Sequence, residues 1–151
     1  MKDSHRERMG LINRRIKELL GIYKDAIRQL EVPESEFWIW YTLTVMEGEY
    51  TQQDICRMWS LPKQTVNTVI SRLKRRKQAY LEVIPGTKNH KRVRLTPLGR
   101  RVGEQIVEPV TQTERRVLDR LPKEDIKAVV DVFERYIEAL REEFCGAKEG
   151  S

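Results

Sequence analysis

The chain has 151 residues, 39% of them hydrophobic and 34% charged, which allows one substantial core and is too short for two independent domains of ordinary size. Its net charge is +6, residues 1–15 lack the apolar run of a secretory signal, and no apolar stretch approaches the roughly 18 residues of a membrane span, so a soluble cytoplasmic protein without membrane partners is expected. Cys56 and Cys145 lie far apart and fit no CxxC or zinc spacing, which argues against a disulfide framework, a metal site or a metal cofactor.

From Ser4 to Leu30 there is no proline, and apolar residues fall at Met9, Ile12, Ile16, Leu19, Tyr23, Ala26 and Leu30. Alternating steps of three and four put them in a heptad-like stripe along one long helix. A second helix is predicted from about Ser35, a candidate N-cap, to Met46, with Gly48 just beyond its end. It carries Phe37, Trp38, Trp40 and Tyr41, which read either as core packing or as the lining of a ligand pocket. Thr51 and Asp54 have the spacing of a capping box and open a short third helix, which Ser60, Leu61 and Pro62 break.

A fourth helix starts near Lys63. Val66, Val69, Ile70 and Leu73 make one apolar face of it, while Gln64, Asn67, Thr68, Ser71 and Arg75 share the opposite side. Tyr80–Ile84 and Lys91–Leu95 alternate as a short β-hairpin, with Leu81, Val83, Val93 and Leu95 on one side and Glu82, Arg92 and Arg94 on the other. Pro85 and Gly86 begin its turn, and Lys88, Asn89, His90 and Lys91 crowd the tip with donors. Thr96 followed by Pro97 gives an N-cap and a proline at the first helical position, opening a fifth helix in which Pro109 should introduce a kink. After Pro122 a sixth helix carries Ile126, Val130, Phe133, Ile137, Leu140 and Phe144, again at alternating steps of four and three, and should end near Cys145 and Gly146. Residues 147–151 are expected to be a disordered tail.

Charge is unevenly placed. Residues 61–101 hold 12 Lys and Arg against the single acid Glu82, whereas the segments on either side carry a small acidic excess. A solvated structural face usually mixes its signs, so a region this one-sided points to a polyphosphate partner. Two short helices with a tight break between them, the second polar on its outer face, form a helix-turn-helix, and a basic hairpin directly after it adds a wing. Gln, Asn and Arg on such a helix match base-edge patterns in a major groove, and cations on the wing match phosphates.

Thr51-Gln-Gln-Asp-Ile, then Pro62-Lys-Gln-Thr-Val-Asn-Thr-Val-Ile-Ser-Arg-Leu73, then Leu95-Thr-Pro-Leu-Gly99 resemble the multiple antibiotic resistance regulators, the MarR family. The resemblance covers nearly the whole chain and implies a mainly α fold with a small β-hairpin. In it a winged helix-turn-helix over 35–101 is flanked by dimerisation helices at 1–31 and 103–146 within one domain. It implies a homodimeric transcription regulator, a repressor, on a pseudo-palindromic double-stranded operator. The recognition-helix residues are then Lys63, Gln64, Thr65, Asn67, Thr68, Ser71, Arg72 and Arg75, and the wing residues Lys88, Asn89, His90, Lys91 and Arg92. It further implies release by a small phenolic or lipophilic effector, for which Phe37, Trp38, Trp40 and Tyr41 are the candidate pocket. The chain departs from the family in three places: its wing lacks the usual Asp-x-Arg pair, no glycine ends the recognition helix, and Pro62 stands where a capping serine is common.

An enzyme is short of parts, since His5 and His90 have no motif partner and no phosphate loop, zinc-protease or nucleophile-elbow pattern occurs. The remaining alternative is a winged-helix RNA-binding or protein-interaction adaptor without operator specificity.

Overall fold

The computed structural model describes residues 4–149 and is mainly helical with one antiparallel hairpin, as the sequence predicts. In chain order the elements are α1 (Ser4–Arg28), α2 (Glu34–Thr44), α3 (Gln52–Trp59), α4 (Lys63–Arg75), β1 (Ala79–Val83), β2 (Lys91–Leu95), α5 (Pro97–Asp119) and α6 (Lys123–Glu149). They form two compact units, the first ending at Val110 and the second beginning at Thr111, within α5. No helix among the described residues is long and apolar enough to cross a membrane.

The first unit is built around α2, which packs against α1, α3, α4 and β2 and is mostly apolar for that reason. Phe37, Ile39 and Trp40 are buried on it together with Thr42. The Thr42 hydroxyl donates to the Trp38 carbonyl at 2.8 Å and accepts from the Trp59 indole at 2.6 Å, so this buried polar group is satisfied. Around this helix lie Ile27 of α1, Ile55 of α3, Val66, Val69, Ile70 and Leu73 of α4, Ala79 and Val93 of the hairpin, and Val107 and Val110 of α5. α2 starts one residue earlier than expected. Its N-cap is Pro33, with no side-chain cap bond, and Ser35 lies inside the helix. The fixed φ of the proline suits the entry to the helix, but no side-chain hydrogen bond replaces the cap expected of the serine.

The capping box of α3 is formed as the sequence predicts: the Thr51 hydroxyl accepts the Asp54 N–H at 3.1 Å and the Asp54 carboxylate accepts the Thr51 N–H at 2.9 Å. The backbone N–H of Thr51, with lesser help from Arg57, holds the Asp54 carboxyl below its usual range. α3 ends at Ser60 in the left-handed region (φ 51°), and α4 begins three residues later, at Lys63, with all four expected apolar residues buried. Its N-cap is Pro62, again without a side-chain bond.

α4 closes without glycine. Arg76 is the C-cap and Lys77 takes the left-handed conformation (φ 56°), while the Gln78 N–H donates to the Leu73 carbonyl at 2.8 Å and the Lys77 N–H to Lys74 at 3.0 Å. This is a Schellman-type ending with lysine at the position that glycine occupies most cheaply. Replacing Lys77 by Gly should therefore raise stability by about 0.5–1 kcal/mol. A urea midpoint that moves up with an unchanged slope would show it, and a midpoint that falls would contradict it.

The strands pair Ala79↔Leu95, Leu81↔Val93 and Val83↔Lys91, so β1 begins and ends one residue before the predicted span. The shift follows from Ala79, small enough to be buried against the core, and Val83 is left exposed although it continues the apolar alternation. A third backbone segment joins the sheet where no strand was expected: Thr51 forms a bridge with Arg92, and the Val93 N–H donates to the Tyr50 carbonyl at 2.8 Å.

α5 opens on Thr96, whose hydroxyl accepts the Gly99 N–H at 3.0 Å, and the helix continues through Pro109 to Asp119. Its first turns approach other backbone closely. A Cβ on Gly99 would strike the Gln78 carbonyl group, and one on Gly103 would lie 3.0 Å from Trp40 Cε3 and closer still to the Thr44 hydroxyl.

α1 is anchored by Ile27, while Ala26, which the predicted stripe includes, is exposed. The helix drifts relative to a strict seven-residue repeat, and that drift brings Ile27 rather than Ala26 to the core. N-terminal to Tyr23 the stripe is uncovered except at the half-buried Ile16: Met9, Ile12 and Leu19 are exposed, and so are Leu11, Leu20 and Ile22 beside it. In the second unit α6 continues through Ala147 to Glu149 rather than ending near Gly146, because no proline or capping geometry stops it and one glycine costs only about 1 kcal/mol. Gly150 and Ser151 of the expected tail lie outside the described residues. Val130, Phe133, Ile137 and Phe144 of its stripe are exposed, together with Val129 and Val132.

Candidate nucleic-acid interface

The helix-turn-helix is held at both ends of its break by backbone bonds. The Leu61 N–H donates to the Cys56 carbonyl at 3.0 Å across the turn, and the Val66 N–H to Pro62 at 3.2 Å in the first turn of α4. With Val66, Val69, Ile70 and Leu73 buried, the rotation of α4 about its own axis is fixed. Lys63, Gln64, Asn67, Thr68, Ser71 and Arg75 are exposed as a consequence, and Thr65 is half-buried at the edge of the face.

Arg72 differs. Its guanidinium is half-buried and ion-paired to Glu36 of α2, whose other carboxylate oxygen accepts the Trp40 indole N–H at 3.4 Å. Arg72 thus ties α4 to the core helix, a role sequence spacing could not distinguish from base contact.

At the wing tip Lys88, Asn89, His90 and Lys91 are exposed. The Ile84 N–H donates to the His90 carbonyl at 2.7 Å, and Thr87 returns to the Ile84 carbonyl through both its N–H (3.1 Å) and its hydroxyl (2.7 Å). Gly86 supplies the left-handed residue of this turn (φ 84°). The tip is therefore a hydrogen-bonded loop that presents its side chains.

Arg92 is a correction. The sequence reading puts it among the DNA-contacting residues of the wing, yet it is only 8% exposed and ion-paired to Glu49 and, at 3.0 Å, to Glu82, which also pairs with Arg94 at 3.2 Å. The bridge of Thr51 to Arg92 sets the 49–51 segment along the free edge of β2, which brings Glu49 to the Arg92 guanidinium, so the simple in-and-out alternation of the hairpin fails there. Arg92 clamps the outer half of the wing to the α2–α3 connection, with its guanidinium taken up by Glu49 and Glu82.

The aromatic set also divides. Phe37 and Trp40 are core residues, whereas Trp38 and Tyr41 are half-buried in a five-ring cluster with Tyr23, Phe37 and Trp59. Trp38 stacks on Trp59 with centroids 4.5 Å apart and planes at 15°. Two open clefts, of about 290 Å³ along Arg101, Glu104, Gln105 and Glu108 and about 420 Å³ between Lys24 and Glu34, are lined by none of the four candidate residues. Among the described residues no group of His, Cys, Asp or Glu could hold a metal ion.

Five further exposed cations adjoin the site: Lys74, Arg76 and Lys77, which flank the polar face of α4 in the sequence as well, and Arg100 and Arg101, which helical periodicity did not connect to it. The regional charge count contained them, but only the fold brings the α4 ending and the α5 start together, through the Thr96 hydroxyl donating to the Lys77 carbonyl at 2.7 Å.

No family model and no curated protein matches the chain. Solved structures do match. NMB1585, a MarR family regulator from Neisseria meningitidis, is 24% identical with a TM-score of 0.65, covering 87% of this chain and 97% of its own. S. aureus MepR in a DNA-binding conformation is 18% identical with a TM-score of 0.64, over 88% and 98%. NadR in complex with 4-hydroxyphenylacetate is 18% identical with a TM-score of 0.65, over 85% and 89%. The chain has the winged helix-turn-helix fold of these regulators.

Proposed function

We propose that the chain is a MarR-family transcription regulator, a repressor, that binds a pseudo-palindromic double-stranded operator as a homodimer. The observation that carries this reading is the exposed polar face of α4, Gln64, Asn67, Thr68, Ser71 and Arg75, set opposite four buried apolar residues that fix its orientation. Among the described residues no hydrogen bond or ion pair engages the side chains of this face, which has the donors and acceptors of base edges. Lys88 and Lys91 of the wing act on backbone phosphate, and Arg72 and Arg92 support these elements from within. The description of MepR in a DNA-binding conformation supports the partner, and that of NadR with 4-hydroxyphenylacetate supports a small phenolic or lipophilic effector. For such an effector the accessible edges are Trp38 and Tyr41, not the core rings Phe37 and Trp40.

The test begins by sequencing the genomic DNA that the protein retains and then comparing the retained and scrambled duplexes. Gln64→Ala and Thr68→Ala remove no core volume, so folding stability should change by less than about 0.5 kcal/mol while discrimination between the duplexes falls by about 1–3 kcal/mol per lost base contact. An unchanged ratio of the two affinities in both variants would refute the assignment of α4. Preference for RNA over duplex would favour the adaptor alternative.

A further inference from the structure

We infer that a second phosphate-binding surface, formed by the end of α4 and the first turn of α5, holds the backbone of duplex DNA beyond the base pairs read by α4. This rests on the DNA-binding reading above. Its cations are Lys74, Arg76, Lys77, Arg100 and Arg101, all exposed.

Three observations carry it. First, the surface is built by backbone contact: the Thr96 hydroxyl donates to the Lys77 carbonyl at 2.7 Å, the Thr96 N–H donates to the Gln78 carbonyl at 3.0 Å, and Gly99 packs without room for a Cβ against that same carbonyl. The two ends cannot drift apart to relieve the repulsion between their charges. Second, the fold neutralises other cations of the same region and leaves these open. Arg72 is paired with Glu36, Arg92 with Glu49 and Glu82, and Arg94 with Glu82, whereas none of the five forms an ion pair among the described residues. Third, Lys77 occupies a left-handed position where glycine would be less strained, so the turn geometry does not account for a lysine there.

Lys and Arg gathered in this way suit a repeating phosphate array, with the Arg forks able to take two oxygens each. The wing tip lies at the far end of the hairpin from this surface, and five-residue strands separate the two by roughly 17 Å. A duplex followed along this length meets phosphate contacts at both ends of the wing.

The experiment uses the full chain and a mixed-sequence duplex of about 30 base pairs, since phosphate contacts are independent of sequence. Binding is followed by fluorescence anisotropy across a salt series for the wild type, Lys77→Gly, the double variant Arg100→Gln/Arg101→Gln, and Lys123→Gln as an exposed cation outside the surface. The slope of log affinity against log salt should fall by about 0.9 in Lys77→Gly and by about 1.8 in the double variant, with Lys123→Gln unchanged. Lys77→Gly is expected to fold at least as stably as the wild type, so its weaker binding could not be assigned to unfolding. Wild-type slopes in both surface variants would overturn this inference alone. Wild-type protein that fails to bind the duplex at any salt would overturn the DNA-binding reading as well.

Discussion

Gly99→Ala is expected to lower folding stability by at least about 2 kcal/mol, a large change for the addition of one methyl group. The added Cβ would occupy the space of the Gln78 carbonyl oxygen, with the carbonyl carbon at 2.8 Å. Both partners are backbone, so no side-chain rotation relieves the clash. The Gln78 carbonyl also accepts the Thr96 N–H, and displacing it would strain the junction of α4, β1 and α5 together. Gly10→Ala in α1 is the control: a Cβ there meets nothing within 4 Å, and the exchange should add about 0.5–1 kcal/mol through helix propensity. Urea unfolding of the two variants should move the midpoint in opposite directions. A Gly99→Ala midpoint within error of wild type would mean that α5 does not pack on the Gln78 carbonyl.

Phe133→Asp is expected to convert the protein from a dimer to a monomer. The wild type should scatter light with twice the 17.9 kDa of one chain, and the variant with the single-chain mass. α1 and α6 expose more large apolar surface than an isolated soluble chain ordinarily leaves in water: Leu19 is 47% exposed, Phe133 37%, Ile137 44% and Phe144 70%. Each such side chain contributes about 1.5–3 kcal/mol when fully buried, so a second copy that covers several of them stabilises the pair strongly. An aspartate placed there would have to be buried without a partner, which costs more than the lost contact. Because Phe133 is exposed within one chain, the helical circular dichroism of the variant should persist. Affinity for a two-half-site operator should fall toward the nonspecific level, a loss of about 10³-fold or more. A variant that kept the dimer mass, or a wild type of single-chain mass, would remove the homodimer from the proposal.

Local chemistry written into short stretches was legible in the sequence. The Thr51–Asp54 box, the Thr96 cap before Pro97, the four apolar residues of α4 and the turn after Pro85 each depend on neighbours within a few positions, and each is found as expected. The polar face of α4 follows from the same periodicity, since a helix with one side buried must expose the other. Regional charge was equally visible, because composition does not depend on folding.

Tertiary structure decided which members of those sets are available. Arg72 and Arg92 look like their basic neighbours in sequence, but Glu36 and Glu49 reach them from another helix and from the α2–α3 connection, 36 and 43 positions away. Phe37 and Trp40 separate from Trp38 and Tyr41 because α2 is enclosed by α1, α3, α4 and β2, and four aromatics within five positions do not state how many neighbours a helix has. The junction of the α4 ending with the start of α5 depends on two hydrogen bonds from Thr96 and on a glycine that lets two backbones touch. Periodicity assigns each residue a direction from its own helix or strand axis; burial and charge pairing depend on what the rest of the chain brings to that side, which only the folded structure contains.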